Sequence, residues 1–330
     1  MSIPVIDIGP FTSFASGDAH ARLAVARQFG RAFETAGFAA IVNHGVPCEL
    51  ANTIYAQAKE FFALPLAGKQ LLMPPERVKG RGYLPMGIES VAATLTGETP
   101  PDLCEALVFA SLQAEREGTG KPNLWPTEPA GFDDTIGQWF DALKDLSGRL
   151  MRMSALALDL PEGWFAPYYE CPALTLRFVN YPDQPVEPPP GQLRYGAHHD
   201  YGGLTILRQD NAPGGLEVRD LEGRWHDVPA IADSFVINVG DLMQHWTNGR
   251  WRSTLHRVSN PARALTGSTQ RLSMVAFTDP NESATVECLP SCCGPDNPPR
   301  FEPVVAGDYI RSKLSASMEL KALAAVKAGA

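Results

Sequence analysis

At 330 residues and 44% hydrophobic content, the chain has enough apolar material for one large domain with a sizeable core. Its formal net charge of −9 and the lack of any run of Lys or Arg argue against nucleic acid as a partner. Six cysteines are too few for a disulfide framework, MSIPVIDIGPF has no basic stretch leading into an apolar one, and no apolar run reaches the ~18 residues that span a bilayer, so the expectation is a soluble cytoplasmic protein with reduced thiols and no membrane partner.

IPVIDI (3–8) reads as a short strand. After Asp18, the residues Leu23, Ala26, Phe29, Phe33 and Ala36 recur at helical spacing until Gly37 stops them. FAAIVNHG (38–45) reads as a strand and CELANTIYAQAKEFFALP as a second helix, with Leu50, Ile54, Ala58 and Phe61 inward. Residues 72–130 are rich in Pro and Gly and weakly periodic, with RGYLPMG and CEALVFA as the extended pieces, a composition that suits a functional loop region. From Phe132 to Leu160 the apolar residues Ile136, Trp139, Phe140, Leu143, Leu146, Leu150, Met153 and Ala157 predict a long amphipathic helix.

Beyond Cys171 the period changes to two: LTLRFVNY (174–181), LTIL (204–207), LEVRD (216–220), RWHDVP (224–229), SFVINVGD (234–241), LHRVSN (255–260) and RLSMVAFTDP (271–280). Turn signals separate these runs, as in an antiparallel sandwich or barrel, and the C-terminal GDYIRSKLSASMELKALAAVKA reads as helix. The fold class expected is α+β with a mostly β core, a double-stranded β-helix (jelly roll) carrying an N-terminal α/β region and flanking helices. The divisions expected are 1–120, a connecting helix in 121–170, the core in 171–285, and a C-terminal loop and helix in 286–330.

His198 and Asp200 are two residues apart in RYGAHHDYGGLTILR, so an extended backbone turns both to one face. An imidazole and a carboxylate are two-thirds of a 2-His-1-carboxylate set, which holds Fe(II) with positions left open. His256 in STLHRV is the candidate third ligand, since antiparallel strands can bring a late strand beside an early one. Arg271 and Ser273 repeat the i, i+2 pattern, placing on one face a guanidinium and a hydroxyl that suit a carboxylate.

His198-x-Asp200, His256 and Arg271-x-Ser273, with DYGGLTIL, NVGD, WTNG and HRV around them, resemble the isopenicillin N synthase-like branch of the Fe(II)/2-oxoglutarate-dependent oxygenases. The resemblance implies Fe(II) as cofactor, 2-oxoglutarate as co-substrate, O2 as oxidant, and hydroxylation of a small-molecule C–H bond coupled to formation of succinate and CO2. It further implies that Arg271 and Ser273 hold the distal carboxylate of 2-oxoglutarate and that Tyr181 adds a hydrogen bond. The family's Asn-x-Tyr-Pro is here only Asn180-Tyr181-Pro182, which leaves a plain core tyrosine open as the other reading. No separate protein acid or base is assigned.

Two rival functions remain at this stage: an Fe(II) oxidase or cyclase that works without 2-oxoglutarate, as isopenicillin N synthase does, and a non-catalytic barrel that binds a small acid. Substrate-lining residues are expected at Arg81, Tyr83, Glu105 and Phe277, with Phe109 near them and Thr205 and Leu207 on the pocket floor. His199 should point away from its neighbours, and His20, His44, His226 and His245 read as structural or surface residues. Gly240-Asp241 and Asn248-Gly249 read as turns, the latter of a hairpin, and Cys288, Cys292 and Cys293 as a loop without a metal.

Overall fold

In the computed structural model, which describes residues 2–12, 18–74, 80–97, 99–262 and 267–315, the N-terminal region is built as its periodicity requires. β1 (Val5–Asp7) is followed by α1 (Ala19–Thr35), whose N-cap Asp18 accepts the backbone N–H of His20. At Gly37 the chain turns with φ +71°, where a Cβ would lie 2.4 Å from the Arg252 carbonyl oxygen, so only glycine fits. β2 (Phe38–Val42) then pairs in parallel with β1, and α2 (Cys48–Ala63) follows.

A short helix, α3 (Leu66–Gln70), precedes the irregular stretch, which itself contains α4 (Ala93–Thr96) and α5 (Leu112–Arg116), neither announced by its weak periodicity. Its two extended pieces form β3 (Gly82–Leu84) and β4 (Glu105–Ala110). α6 (Phe132–Ala157) buries every apolar residue that the helical spacing singles out, against α1 and α2. Each large side chain so buried contributes roughly 1.5–3 kcal/mol.

From Ala173 to Asp279 the chain forms β5 (Ala173–Tyr181), β6 (Tyr195–His198), β7 (Leu204–Gln209), β8 (Leu216–Arg219), β9 (Trp225–Asp227), β10 (Phe235–Val239), α7 (Asp241–Trp246), β11 (His256–Val258) and β12 (Arg271–Asp279), and β13 (Thr285–Val286) pairs with β14 (Val304–Val305) as a separate two-stranded sheet. The strands β1 to β12 form one large sheet in the order β1-β2-β10-β7-β12-β5-β4-β3 and a smaller one in the order β6-β11-β8-β9. Residues 306–315 are helical, and the remainder of the expected C-terminal helix lies outside the described residues.

Strand alternation gives the large sheet two distinct faces. Leu272, Met274 and Ala276 of β12 and Leu174, Leu176 and Phe178 of β5 join the main core with α1, α2 and α6. The alternate residues, Arg271, Ser273, Val275 and Phe277 with Arg177, Val179 and Tyr181, line a cavity whose other wall comes from β6, β8 and β11. The two sheets of the jelly roll thus enclose the chamber.

Asn248-Gly249 is a correction to the expectation. It does not close a hairpin; it ends the helical turn of α7, with φ +53° and +78°, and the Asn248 side chain donates to the carbonyls of Cys292 and Pro298. The six-residue α7 is too short for its period to be recognised before the chain is folded.

Candidate metal centre

His198 and His256 are direct cross-strand partners on β6 and β11, which sets their rings 4.2 Å apart. Each ring uses Nδ1 in the same way. His198 Nδ1 donates to the Gly196 carbonyl and His256 Nδ1 to that of Thr254, both at 2.9 Å, because a carbonyl cannot donate and the ring nitrogen must. The Nε2 lone pairs are left to point inward, 3.6 and 3.8 Å from Oδ1 of Asp200.

Asp200 lies just past the end of β6, held by contacts between two glycine-containing turns. Its backbone carbonyl accepts the N–H of Asp241, and a Cβ on Gly240 would fall 2.4 Å from the Gly202 oxygen. Here the DYGG and NVGD segments meet. The other carboxylate oxygen, Oδ2, accepts hydrogen bonds from Thr205 and Asn238, each 2.6 Å long. Burial opposes the charge of Asp200, but His256, His198 and these two donors outweigh it and hold the carboxyl below its usual range. Burial, with His256 beside it, pushes His198 down to about 3, so its Nε2 keeps a lone pair at neutral pH.

One ligand atom from each of the three residues lies within 4.8 Å of the others, and this is the one such group of His, Cys, Asp or Glu among the described residues. Two imidazole nitrogens and one carboxylate oxygen, with bonds of about 2.0–2.2 Å, can span those separations around a single cation and leave coordination positions open. A closed structural zinc site would need a fourth protein donor.

Further along the chamber, Arg271 is buried to 1% exposure. Its Nη2 donates to Oε1 of Gln209 at 2.8 Å, its Nη1 to Ser273, and its guanidinium sits 5.0 Å above the ring of Tyr181. None of these partners is an anion. A buried guanidinium without a counter-charge is costly, so the position fits a carboxylate brought by a ligand. The chamber is otherwise mostly apolar, with Phe38, Leu207, Leu216, Val258 and Phe277 among its walls.

Of the expected substrate-lining residues, only Phe277 reaches this cavity. Tyr83 and Glu105 are buried on the helix side of the sheet, where Oε2 of Glu105 accepts from Lys69 at 2.8 Å and from Tyr83 at 2.5 Å, and Oε1 accepts from Asn180. Phe109 joins the core there, and Arg81 donates to the carbonyl of Lys121. Beyond Glu105, β4 is wholly apolar and buried on both faces, so alternation gave no sign of which side Glu105 takes.

Thr205 and Leu207 line the chamber as expected, and His199 points away, bonded to the carbonyl of Ser253. Reasoning from the sequence missed Asn238 as a partner of Asp200, Gln209 as a partner of Arg271, and Arg177 and Tyr195 as lining residues. Alternation along β7 and β5 carries Gln209 and Arg177 to the inner face and was the available signal for both.

Two family profiles match the chain: "non-haem dioxygenase in morphine synthesis N-terminal" over residues 3–128 and "2OG-Fe(II) oxygenase superfamily" over residues 172–280. The chain belongs to the 2OG-Fe(II) oxygenase superfamily. It is 32% identical to the 2-oxoglutarate-Fe(II) type oxidoreductase hxnY of Emericella nidulans, over 93% of this chain and 88% of that one. It is also 32% identical to the homoarginine-6-hydroxylase 2-ODD-233 of Oryza sativa subsp. japonica, over 95% and 96% respectively. A full-length protein of Neurospora crassa, whose crystal structure is a complex with alpha-KG and thymine, superposes with a TM-score of 0.82 at 29% identity, covering 97% of both chains.

As a 2OG-Fe(II) oxygenase of the isopenicillin N synthase-like branch, the protein is an oxidoreductase that uses Fe(II), 2-oxoglutarate and O2. Among the described residues, no helix is long and apolar enough to cross a membrane.

Proposed function

We propose that His198, Asp200 and His256 hold Fe(II), that Arg271 and Ser273 bind the distal carboxylate of 2-oxoglutarate with Tyr181 beside them, and that the enzyme hydroxylates a C–H bond of a small molecule. The observation that carries this reading is the convergence of two Nε2 lone pairs and one carboxylate oxygen at one end of a chamber whose other end holds a buried guanidinium bonded only to neutral groups among the described residues. The iron supplies the dioxygen chemistry that couples decarboxylation of 2-oxoglutarate to oxidation of the substrate, yielding succinate and CO2.

The chain's own residues bind, orient and exclude water. Thr205 and Asn238 hold Asp200 Oδ2 so that Oδ1 faces the imidazoles, and the carbonyls of Gly196 and Thr254 fix both rings in the tautomer that can ligate. Arg271 meets a carboxylate with charge-assisted hydrogen bonds, Gln209 and Ser273 keeping its planar head in place. Phe277, Val258 and Leu207 keep the space between dry. No side chain is needed as a separate acid or base. The cysteines, all free, suit a cytoplasmic location.

A small-molecule substrate is supported by the neighbour solved with thymine. The neutral surroundings of Arg271, together with relatives named for 2-oxoglutarate, favour this reading over an oxidase that dispenses with the keto acid or a barrel that only binds. The test is anaerobic titration of the Fe(II)-loaded protein with 2-oxoglutarate, followed by its visible charge-transfer absorption, in the natural protein and in Asp200→Ala. A band in the first and none in the second is expected; no keto-acid binding by the natural protein would overturn the reading.

A further inference from the structure

Arg177 carries a second guanidinium on the chamber wall, one that neither the metal centre nor the 2-oxoglutarate end employs. It stands on the inner face of β5, paired across to Val275 of β12, and its guanidinium lies 5.4 Å over the ring of Tyr195. The same Tyr195 ring meets His198 edge-on at 5.0 Å. A group held by Arg177 is therefore one aromatic ring away from the metal centre.

Unlike Arg271, this arginine is already paired. Nη1 donates to Oε1 of Glu89 at 3.0 Å and Nη2 donates to Oε2, a fork-to-fork contact with a residue from the irregular segment between β3 and α4. The side chains are only 13% and 19% exposed. The backbone of Glu89 is tied down as well, its carbonyl accepting the N–H of Asp102 at 2.7 Å. Two of the five guanidinium N–H groups serve Glu89, which leaves donors for a ligand.

The two arginines consequently differ in what they can attract. Arg271 offers a net charge and Arg177 offers hydrogen bonds without one. A carboxylate placed on Arg177 would meet the Glu89 carboxylate across the same guanidinium in a chamber of low dielectric, where like charges repel strongly. An uncharged oxygen acceptor meets no such opposition. The cavity lining that includes Arg177 also includes the apolar Val179, Val258, Val275 and Phe277.

We propose that Arg177 is the residue that reads the primary substrate, that it donates to an uncharged carbonyl oxygen (amide, imide, lactam or ketone) on an otherwise apolar skeleton, and that Glu89 excludes carboxylic acids by cancelling the charge of Arg177. This rests on the reading of the chamber given under Proposed function. It deepens that reading by assigning the class of substrate.

The experiment uses matched probes of one skeleton, phenylacetamide against phenylacetate and cyclohexanecarboxamide against cyclohexanecarboxylate. Each is titrated by calorimetry into the anaerobic protein holding Fe(II) and saturating 2-oxoglutarate. The natural protein should bind the amide at least tenfold more tightly than the acid in at least one pair. Glu89→Gln should gain at least tenfold for the acid, because its Arg177 regains a net charge. The double variant Arg177→Gln/Glu89→Gln, which carries neither charge and should fold even if the single variant does not, should lose the preference.

A natural protein that prefers the acids, or that binds neither member of any pair, overturns the proposal. So does Glu89→Gln with its preference unchanged, or a preference that survives in the double variant. The 2-oxoglutarate titration that precedes each run separates the two levels: its failure removes the reading of the chamber, whereas normal keto-acid binding without amide preference removes only the assignment of Arg177 and Glu89.

Discussion

Asn238 donates to Oδ2 of Asp200 at 2.6 Å from a strand 38 residues further along the chain, and Asp200 Oδ1 is thereby left for the two imidazoles. Replacing the amide in Asn238→Leu removes this restraint while Thr205 keeps the other. Metal affinity should fall about 10–100-fold with the fold retained, as for other residues that orient a metal ligand. Titration of the apoprotein with Mn(II) and circular dichroism check both halves; an unchanged dissociation constant would mean that Asp200 needs no orienting partner.

The Arg271→Lys variant keeps the charge and loses the fork. A point charge cannot contact Ser273, Gln209 and a carboxylate in the same geometry, so at least one charge-assisted hydrogen bond, about 1.5–3 kcal/mol, goes. The KM for 2-oxoglutarate should rise by about 10–100-fold, read from succinate formation. A KM that stays put would remove Arg271 from the keto-acid site.

Glu105 makes the opposite prediction, since it serves stability. In Glu105→Ala the buried ammonium of Lys69 loses its counter-charge and keeps the Phe62 carbonyl and the face of the Tyr83 ring, at a cost of about 3–5 kcal/mol. Urea unfolding should show this loss, while the KM for both substrates in the folded fraction stays the same. A raised substrate KM at unchanged stability would return Glu105 to the chamber.

Asp102, which accepts the N–H of Gly196, gives the fold a pH dependence of its own. Burial pushes its carboxyl up to about 6, against the N–H groups of Val91 and Gly196 that favour the charge. The folded state therefore holds the proton more tightly than the unfolded chain. This contribution to stability is complete below about pH 4 and fades as the pH rises through 6, by roughly 3 kcal/mol at most. Urea unfolding between pH 4 and 7 should show a decline in the natural protein that is shallower in Asp102→Asn; parallel curves would place the Asp102 pKa near its ordinary value.

What the chain discloses before it is folded follows from how local each signal is. His198-x-Asp200 and Arg271-x-Ser273 are legible because a strand alternates every second residue, and the spacing alone puts both members on one side. α6 is legible because its apolar residues hold the helical period over about seven turns. Glu105 is not, since a strand buried on both faces has no polar side to orient it. Asn238 is not, because its amide meets Asp200 only through the pairing of β10 with β7. Phe38, edge-on to His256 at 5.3 Å, comes from a strand far earlier in the chain and carries no mark of that destination.

Arg271 and Phe277 stand on the same face of β12, and Phe277 is the cross-strand partner of Thr205, which holds Asp200. The spacing between Arg271 and the metal-ligand cluster is thus fixed by an extended backbone paired on both sides, which cannot lengthen without breaking its ladder. On the proposed binding mode, β12 is a ruler for the dicarboxylate. A homologue one methylene longer, such as 2-oxoadipate, has to buckle or release one end, and enlarging side chains or trimming them elsewhere in the chamber will not recalibrate the scale.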